Sequence, residues 1–464
     1  MARDGVTGLL CSTTEEWTAA LDRLVGDDGL RQRIGDAARS QVRRDYGIEA
    51  MAGCLRRMFA QAVPAQAVCL PTVLIVNVFY PPQAIGGATR VVHDNVQHLA
   101  VNYRDRFNVE VFTSIDGGVT PYQVQSYVMD GVRVTGITTP DDPDIEHRVN
   151  DKTMGAVFGQ VLDHLKPAIV HFHCIQRLTP SIILEALDRN IPYVITAHDG
   201  WWISDEQFLL DASGTFQVYD YKDPLDTLQK YGQKSFYRLM ALQQPLAGAS
   251  KVLGVSRPFA ELYQSCGVAN IITLANGVSK LPQVLRSPSP DGRVRLGFIG
   301  GLAAHKGYDL IKYALYGNNF GSLRLLAIDH AMRPGTSRRE LWGATEVEFQ
   351  PKRPQGQVGQ LYGEIDILLA PSVWPESYGL VSREALYAGC WVIASNKGSI
   401  GEYVTEGQNG FIVDVTRPDN LAEILRSIDC NPSRYLMPPN TIPKMRKASC
   451  QVDELAALYK ALLS

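Results

Sequence analysis

Short, near-continuous apolar runs recur along most of the chain, each followed by a stretch with apolar residues three and four apart. In the first half the runs cover 72–79, 107–113, 168–173, 191–196, 251–255 and 271–274. Runs of this kind predict strands buried on both faces, as in parallel sheets. Between them, Val91, Val92, Val96 and Leu99 predict a helix after Gly86-Gly87, and a second helix is expected near 155–165. Residues 125–134 read as a hairpin with Asp130-Gly131 at its turn. The rhythm resumes with strands expected near 294–299, 323–327, 346–349, 366–370 and 391–395. Strand alternating with helix in two series predicts an α/β protein with two doubly wound parallel sheets and a cleft between them.

The first 62 residues break this rhythm. Residues 3–10 read as a turn and short strand, and Thr13 with Glu16 forms a capping-box pattern that opens a helix. Helical stretches follow over 29–44 and 48–62. The same order occurs near the far end, where 406–412 (Glu-Gly-Gln-Asn-Gly-Phe-Ile) precede a helical pattern over 416–425. We read the two as an internal repeat, against the alternative of a chance loop–strand–helix likeness. The expected organisation is a helical segment at 1–62 and a linker at 63–70. An N-terminal Rossmann-like domain at 71–281 follows, then a Pro/Ser-rich linker at 282–293. A C-terminal Rossmann-like domain with a tail takes 294–464.

Composition narrows the class without naming a function. At 464 residues the chain exceeds one ordinary core, and 45% apolar with 20% charged residues is globular usage. A net charge of −3 gives no general push toward nucleic acid, and no recognition motif is present. The eight cysteines are scattered without metal-ligand spacing, which fits a reducing cytoplasm. No apolar run approaches the ~18 residues of a membrane span, and the first residues lack the apolar core of a signal peptide. Arg31, Arg33, Arg39, Arg43, Arg44, Arg56 and Arg57 make the N-terminal segment basic. A solvated helical face is the default reading, and a peripheral contact with anionic lipid at the inner face of the cell membrane is the alternative. Asp142 and Asp144 have the spacing of a metal pair but sit in a Pro/Asp-rich loop, where a solvated turn is expected.

The candidate chemistry lies in 370–389. Glu376 falls in a small-residue loop after an apolar strand, and a helix expected from near Tyr378 carries Glu384 about two turns in. The free N–H groups of the first turn suit a phosphate, and a carboxylate beside them suits sugar hydroxyls. Spacing alone equally fits two solvated glutamates. The surrounding motifs decide the matter. Residues 374–389 (Trp-Pro-Glu-Ser-Tyr-Gly-Leu-Val-Ser-Arg-Glu-Ala-Leu-Tyr-Ala-Gly) resemble the Glu-x7-Glu segment of the retaining family 4 glycosyltransferases. Residues 296–307 resemble that family's phosphate-binding loop. Gly254-Val-Ser-Arg257 and Ala275-Asn-Gly-Val278 resemble its domain-closing elements, and the likeness runs from about Thr72 to about Leu425.

The resemblance implies a GT-B architecture and a nucleotide-diphosphate sugar as donor, UDP- or GDP-linked, with neither cofactor nor metal. It implies that Glu376 holds donor-sugar hydroxyls and that Ser377, Tyr378, Gly379 and Leu380 offer backbone N–H groups to the diphosphate. Glu384 would bind the ribose and Lys306 neutralise the leaving phosphate. Gly86 and Gly87 would approach the donor, and His198 would contact the transferring sugar or shuttle a proton. His171 and His173 read as structural. One departure stands out: Gly301 occupies the place of a usual phosphate-binding arginine, for which His305 and Arg353 are candidate substitutes. The expected function is transfer of a sugar to a glycan, lipid-linked or small-molecule acceptor in bacterial polysaccharide assembly. The alternatives are a GT-B epimerase or glycan synthase, and a non-catalytic subunit partnering another glycosyltransferase. Residues 1–62 resemble the C-terminal end of a second such enzyme.

Overall fold

A computed structural model describes residues 2–62, 70–83, 86–118, 120–279 and 287–464. Of the two expected linkers, 63–69 and 282–286 lie outside the described residues. The chain divides into two units, Met1–Cys69 and Leu70–Ser464.

In the larger unit, β1 (Thr72–Asn77), β2 (Asn108–Ile115), β3 (Val124–Met129), β4 (Val132–Thr138), β5 (Ile169–Phe172), β6 (Tyr193–Ala197), β7 (Lys251–Gly254) and β8 (Ile271–Thr273) form one sheet. Its order is β3-β4-β2-β1-β5-β6-β7-β8, parallel except for the β3–β4 hairpin at the edge. Successive side chains of a strand face opposite ways, so β1 serves two cores. Leu74 and Val76 join one apolar cluster, Val73 and Ile75 the other.

The second sheet contains β9 (Val294–Phe298), β10 (Leu323–Asp329), β11 (Arg338–Trp342), β12 (Thr345–Pro351), β13 (Ile367–Ala370), β14 (Trp391–Ser395) and β15 (Gly410–Val413). Its order is β11-β12-β10-β9-β13-β14-β15, with only β11 antiparallel. The chain reverses direction across the sheet at β1/β5 in the first and β9/β13 in the second. The crevice outside the carboxyl ends of such strands is where ligands bind in open α/β sheets. These are the two Rossmann-like domains of a GT-B fold.

Two elements were not legible in the sequence. Strand β11 is a largely exposed edge with charged residues. Helix Pro224–Gly248 is interrupted by Gly232 at φ 86° and contains Pro245. A third point is a correction. The tail expected to belong to the second domain ends in a helix, Ala448–Leu463, that packs on the first. Its Val452, Leu455, Ala456 and Tyr459 lie in the core cluster with Val92, Val96 and Leu99 of helix Gly86–Asn102. The spacing makes one apolar stripe. The second sheet's own core is already covered by helix Asn420–Cys430 through Leu421, Leu425 and Ile428.

The smaller unit contains helices Thr14–Gly26, Asp28–Tyr46 and Ile48–Ala62. The expected capping box is formed: Glu16 N–H donates to Thr13 Oγ1 at 3.2 Å, and Thr13 N–H to Glu16 Oε2 at 3.3 Å. The turn before it has a counterpart in the larger unit. Gly5 at φ 70° donates to Gly8 O at 2.8 Å, and Leu10 N–H to Asp4 Oδ1 at 2.9 Å. Gly407 at φ 69° donates to Gly410 O at 2.9 Å, and Ile412 N–H to Glu406 Oε2 at 2.9 Å. Each turn leads to a helix with apolar residues at the same spacing: Trp17, Leu21 and Leu24 in one, Leu421, Leu425 and Ile428 in the other. The second set is buried, whereas Trp17 and Leu21 are 58% and 53% exposed.

Candidate active site

The centre of the site is an ion pair between two loops that leave adjacent strands. The loop after β9 ends in a short 3-10 turn, Ala304–Lys306, and the loop after β13 carries Glu376. Lys306 Nζ donates to Glu376 Oε1 at 2.6 Å, and Ser372 Oγ donates to the same oxygen at 2.8 Å. Burial pushes the Glu376 carboxyl up, but Lys306 and the hydrogen bonds more than offset it, leaving it below the usual carboxylate value. The loops meet so closely that a Cβ on Gly307 (φ 82°) would lie 2.0 Å from Pro371 O. Glycine supplies both the left-handed backbone and the room.

Beyond Glu376, Gly379 (left-handed, φ 69°) starts helix Leu380–Tyr387 with no side-chain cap on its first turn. The helix begins two residues later than expected, which puts Ser377, Tyr378 and Gly379 in the approach loop. Glu384 then lies in its second turn. The first-turn N–H groups are the positive end of the helix and suit a phosphate. Arg383, 1% exposed, braces this mouth from behind. It donates to Ser399 O at 3.1 Å, Ser399 Oγ at 2.8 Å and Glu402 Oε2 at 2.5 Å, and also to Tyr378 O. Its guanidinium carbon lies 3.8 Å from the Tyr378 ring centroid.

The first domain closes on the same loop. Phe208 stacks on His305 at 3.9 Å between centroids, and Lys306 Nζ lies 5.8 Å from the Phe208 ring and 5.4 Å from that of Trp374. Trp374 and Tyr378 belong to the first domain's core cluster. The two segments read as closing elements make direct contacts: Ser256 Oγ donates to Ser377 O at 2.6 Å, and Tyr378 Oη to Asn276 O at 2.8 Å. A Cβ on Gly87 would lie 3.3 Å from Leu380 Cδ1, so the glycine loop does approach the helix mouth. Glu384 is also brought to the first domain. Arg90 Nη2 donates to its Oε1 at 2.5 Å, and Tyr362 Oη to its Oε2 at 2.9 Å. Burial raises the Glu384 carboxyl, and Arg90 opposes that shift.

His198 follows β6 as expected but points into a buried row of histidines. Its Nε2 lies 2.9 Å from His173 Nδ1, and the His173 ring lies tilted by 30° against His171 with centroids 4.0 Å apart. His171 in turn contacts Thr196 Oγ1 at 2.7 Å and Tyr459 Oη at 2.5 Å. Burial pushes His198 down to about 4, His171 to about 3, and His173 well below its usual value. All three are therefore neutral at pH 7. The unfolded chain titrates its histidines near ~6.5, so it binds protons that the folded state does not as pH falls from that value toward about 4. Stability should fall across that window, by at most about 1.4 kcal/mol per pH unit for each histidine. Urea midpoints at several pH values would measure this, and His198→Gln should flatten the slope. An unchanged slope would mean that His198 titrates normally.

Both candidate substitutes for the arginine missing at residue 301 are engaged by neighbouring side chains. His305 is engaged by Phe208 and held neutral, pushed down to about 4 chiefly by burial. Arg353 is bidentate to Glu364 at 2.7 and 2.6 Å. Gly301 itself has φ 80°, and a Cβ there would lie 3.1 Å from His330 Nδ1, so the His330 ring occupies the space over it. Asp142 accepts from Asp144 N–H at 2.9 Å and pairs with Arg148 at 3.2 Å, an Asx turn closed by an arginine. Among the described residues no group of three or more His, Cys, Asp or Glu could hold a metal ion. Sequence reasoning missed Arg90, Phe208, His330 and Arg383. Only Arg90 left a signal, a cation one turn into the helix that follows Gly86-Gly87.

Among the described residues, no helix is long and apolar enough to cross a membrane. Two family profiles match in chain order: Glycosyltransferase Family 4 over residues 85–280 and Glycosyl transferases group 1 over 284–436. Among curated proteins, the D-inositol 3-phosphate glycosyltransferase of Rhodococcus opacus is 33% identical over 121 residues, 24% of this chain and 27% of that protein. The match thus spans about a quarter of the relative's length. Among solved structures, sucrose-phosphate synthase from Thermosynechococcus elongatus superimposes with a TM-score of 0.61 at 16% identity. It covers 84% of this chain and 99% of that one. HepE of Anabaena, in complex with UDP and glucose, gives a TM-score of 0.53 at 16% identity over 85% and 97% of the two chains. At such identities the structural likeness carries the fold alone. Taken with the profiles matched on both domains, it places the chain among the family 4-type glycosyltransferases of GT-B architecture.

Proposed function

We propose that the protein is a retaining glycosyltransferase that moves a sugar from a nucleotide diphosphate to a glycan, lipid-linked or small-molecule acceptor. The observation that carries this reading is the Lys306–Glu376 pair beside the uncapped helix start at Leu380. Breaking the bond between the sugar and the diphosphate builds negative charge on the leaving phosphate. A fixed cation and preorganised N–H groups stabilise that charge most where water is excluded. Glu376 would hold sugar hydroxyls, Ser377 to Leu380 the diphosphate, and Glu384 the ribose. Gly86 and Gly87 would border the donor. With His198 buried and neutral, its role is a hydrogen-bonding contact rather than a charged acid.

The acceptor oxygen would attack from the face the diphosphate leaves. As the new C1–O bond forms and the C1–O(phosphate) bond breaks, the acceptor's proton passes to a phosphate oxygen, and neither cofactor nor metal takes part. Because HepE carries UDP and glucose in its structure, UDP-sugars are the first donors to test. Bacterial polysaccharide assembly in the cytoplasm is the proposed setting. NMR of the product formed with the accepted donor tests the mechanism. Retention of the donor's anomeric configuration, undiminished by EDTA, is expected. An inverted product, or donor isomerised without transfer, would contradict it.

We infer further that residues 1–62 correspond to the C-terminal end of a second such enzyme. The support is the matched hydrogen bonding of the Asp4 and Glu406 turns and the shared apolar spacing of the helices after them.

A further inference from the structure

The second carboxylate of the site takes its charge partner from the opposite domain. Arg90 lies in the first turns of helix Gly86–Asn102, which starts where Gly87 meets Leu380. Its guanidinium reaches Glu384 Oε1 at 2.5 Å while Tyr362 Oη holds Oε2 at 2.9 Å. Glu384 is 4% exposed. A carboxyl so placed loses hydration and leans toward the protonated form unless a cation compensates. The charged groups facing it are Arg90 and Asp94 on the one helix, and the uncharged Tyr362 hydroxyl donates to it from another. Asp94, which accepts from Ser279 Oγ, opposes its ionisation. Arg90 and the Tyr362 hydrogen bond both favour the carboxylate, and of the two only Arg90 brings a positive charge.

We propose that Arg90 is a positioning residue for the donor, holding Glu384 ionised and oriented so that nucleotide affinity depends on a cation supplied by the other domain. The proposal rests on the reading of Glu384 as the ribose acceptor. A carboxylate has about four lone-pair sites. Arg90 and Tyr362 take one on each oxygen, which leaves room for two ribose hydroxyls. Protonation would remove acceptor capacity and put a donor in its place. The contact also couples nucleotide binding to the closed arrangement of the two domains, because the cation and the carboxylate lie on opposite sides of the cleft.

Calorimetric titration of UDP, GDP, ADP and dTDP against the full-length protein between pH 5.5 and 8 tests this, using wild type, Arg90→Ala, Arg90→Gln and Glu384→Gln. For the nucleotide that wild type binds, Arg90→Ala should weaken affinity at least tenfold at pH 6. The pH below which binding fades should move upward, because Glu384 then titrates without its cation. Arg90→Gln, which keeps a hydrogen bond but no charge, should show the same upward movement. Glu384→Gln should weaken binding without pH dependence. If Glu384→Gln weakens binding while both Arg90 variants match wild type, Arg90 has no such role. An equal loss at every pH in the Arg90 variants would assign it a purely structural part and overturn the proposal. If Glu384→Gln has no effect, or wild type binds none of the four, the ribose reading fails as well.

Discussion

Lys306→Ala is expected to lower turnover 100- to 1000-fold, about 2.7–4 kcal/mol of transition-state stabilisation, on the scale of losing a preorganised oxyanion donor. The size follows from the surroundings of this lysine. Its ammonium is held 2.6 Å from Glu376, is screened by the Phe208 and Trp374 rings, and has no arginine at residue 301 to share its task. The loss should appear in kcat more than in KM, since charge on the leaving phosphate develops only as the bond breaks. The variant also strands a buried carboxylate, so the Glu376 carboxyl should rise once its cation is gone. Glu376→Ala should lose activity on the same scale. The double variant should be less impaired than the two losses combined, because the residues act as a unit. Steady-state kinetics of the three variants measures this. Near-wild-type turnover in Lys306→Ala would remove the lysine from the chemistry.

Arg383→Met is expected to cost about 3–5 kcal/mol of stability, the range for breaking a buried ion pair from one side. The lower figure applies if Glu402, a third of whose side chain is exposed, recovers hydration. Ser399 does not have that option, since it is fully buried and both its carbonyl and hydroxyl face the guanidinium. Arg383 also fixes Tyr378 O, two residues before the helix start at Leu380. Nucleotide affinity should therefore fall together with the urea midpoint. A stable variant with normal affinity would show that the helix mouth holds its shape without this brace.

The strands were legible because parallel sheets bury both faces, so β1, β9 and β13 stand out as unbroken apolar runs. Glu376 and Lys306 were legible through the order of the motifs around them, and the structure brings them together at one reversal of strand order. What the sequence concealed depends on contacts between distant segments. Nothing local in Arg90 points to Glu384, 294 residues away. The helix at 448–463 reads as a tail because its apolar stripe does not say which domain it covers. Phe208 reads as an ordinary loop aromatic until the first domain sets it on His305. His198 gives no local sign of the His173 contact that the folded sheet makes. Gly301 was visible as a departure, but its positive φ and the His330 ring above it are tertiary facts.

The central claim is that the crevice at β9/β13, with Lys306, Glu376 and the mouth of helix Leu380–Tyr387, binds a sugar nucleotide. Thermal unfolding with UDP-, GDP-, ADP- and dTDP-linked sugars tests it most directly. A ligand at about 100 times its Kd adds about 2.7 kcal/mol of stability. One of the four should raise the midpoint of the wild type, with the shift reduced in both Lys306→Ala and Glu376→Ala. A wild type that none of them stabilises, or a shift that survives both substitutions unchanged, would contradict the account.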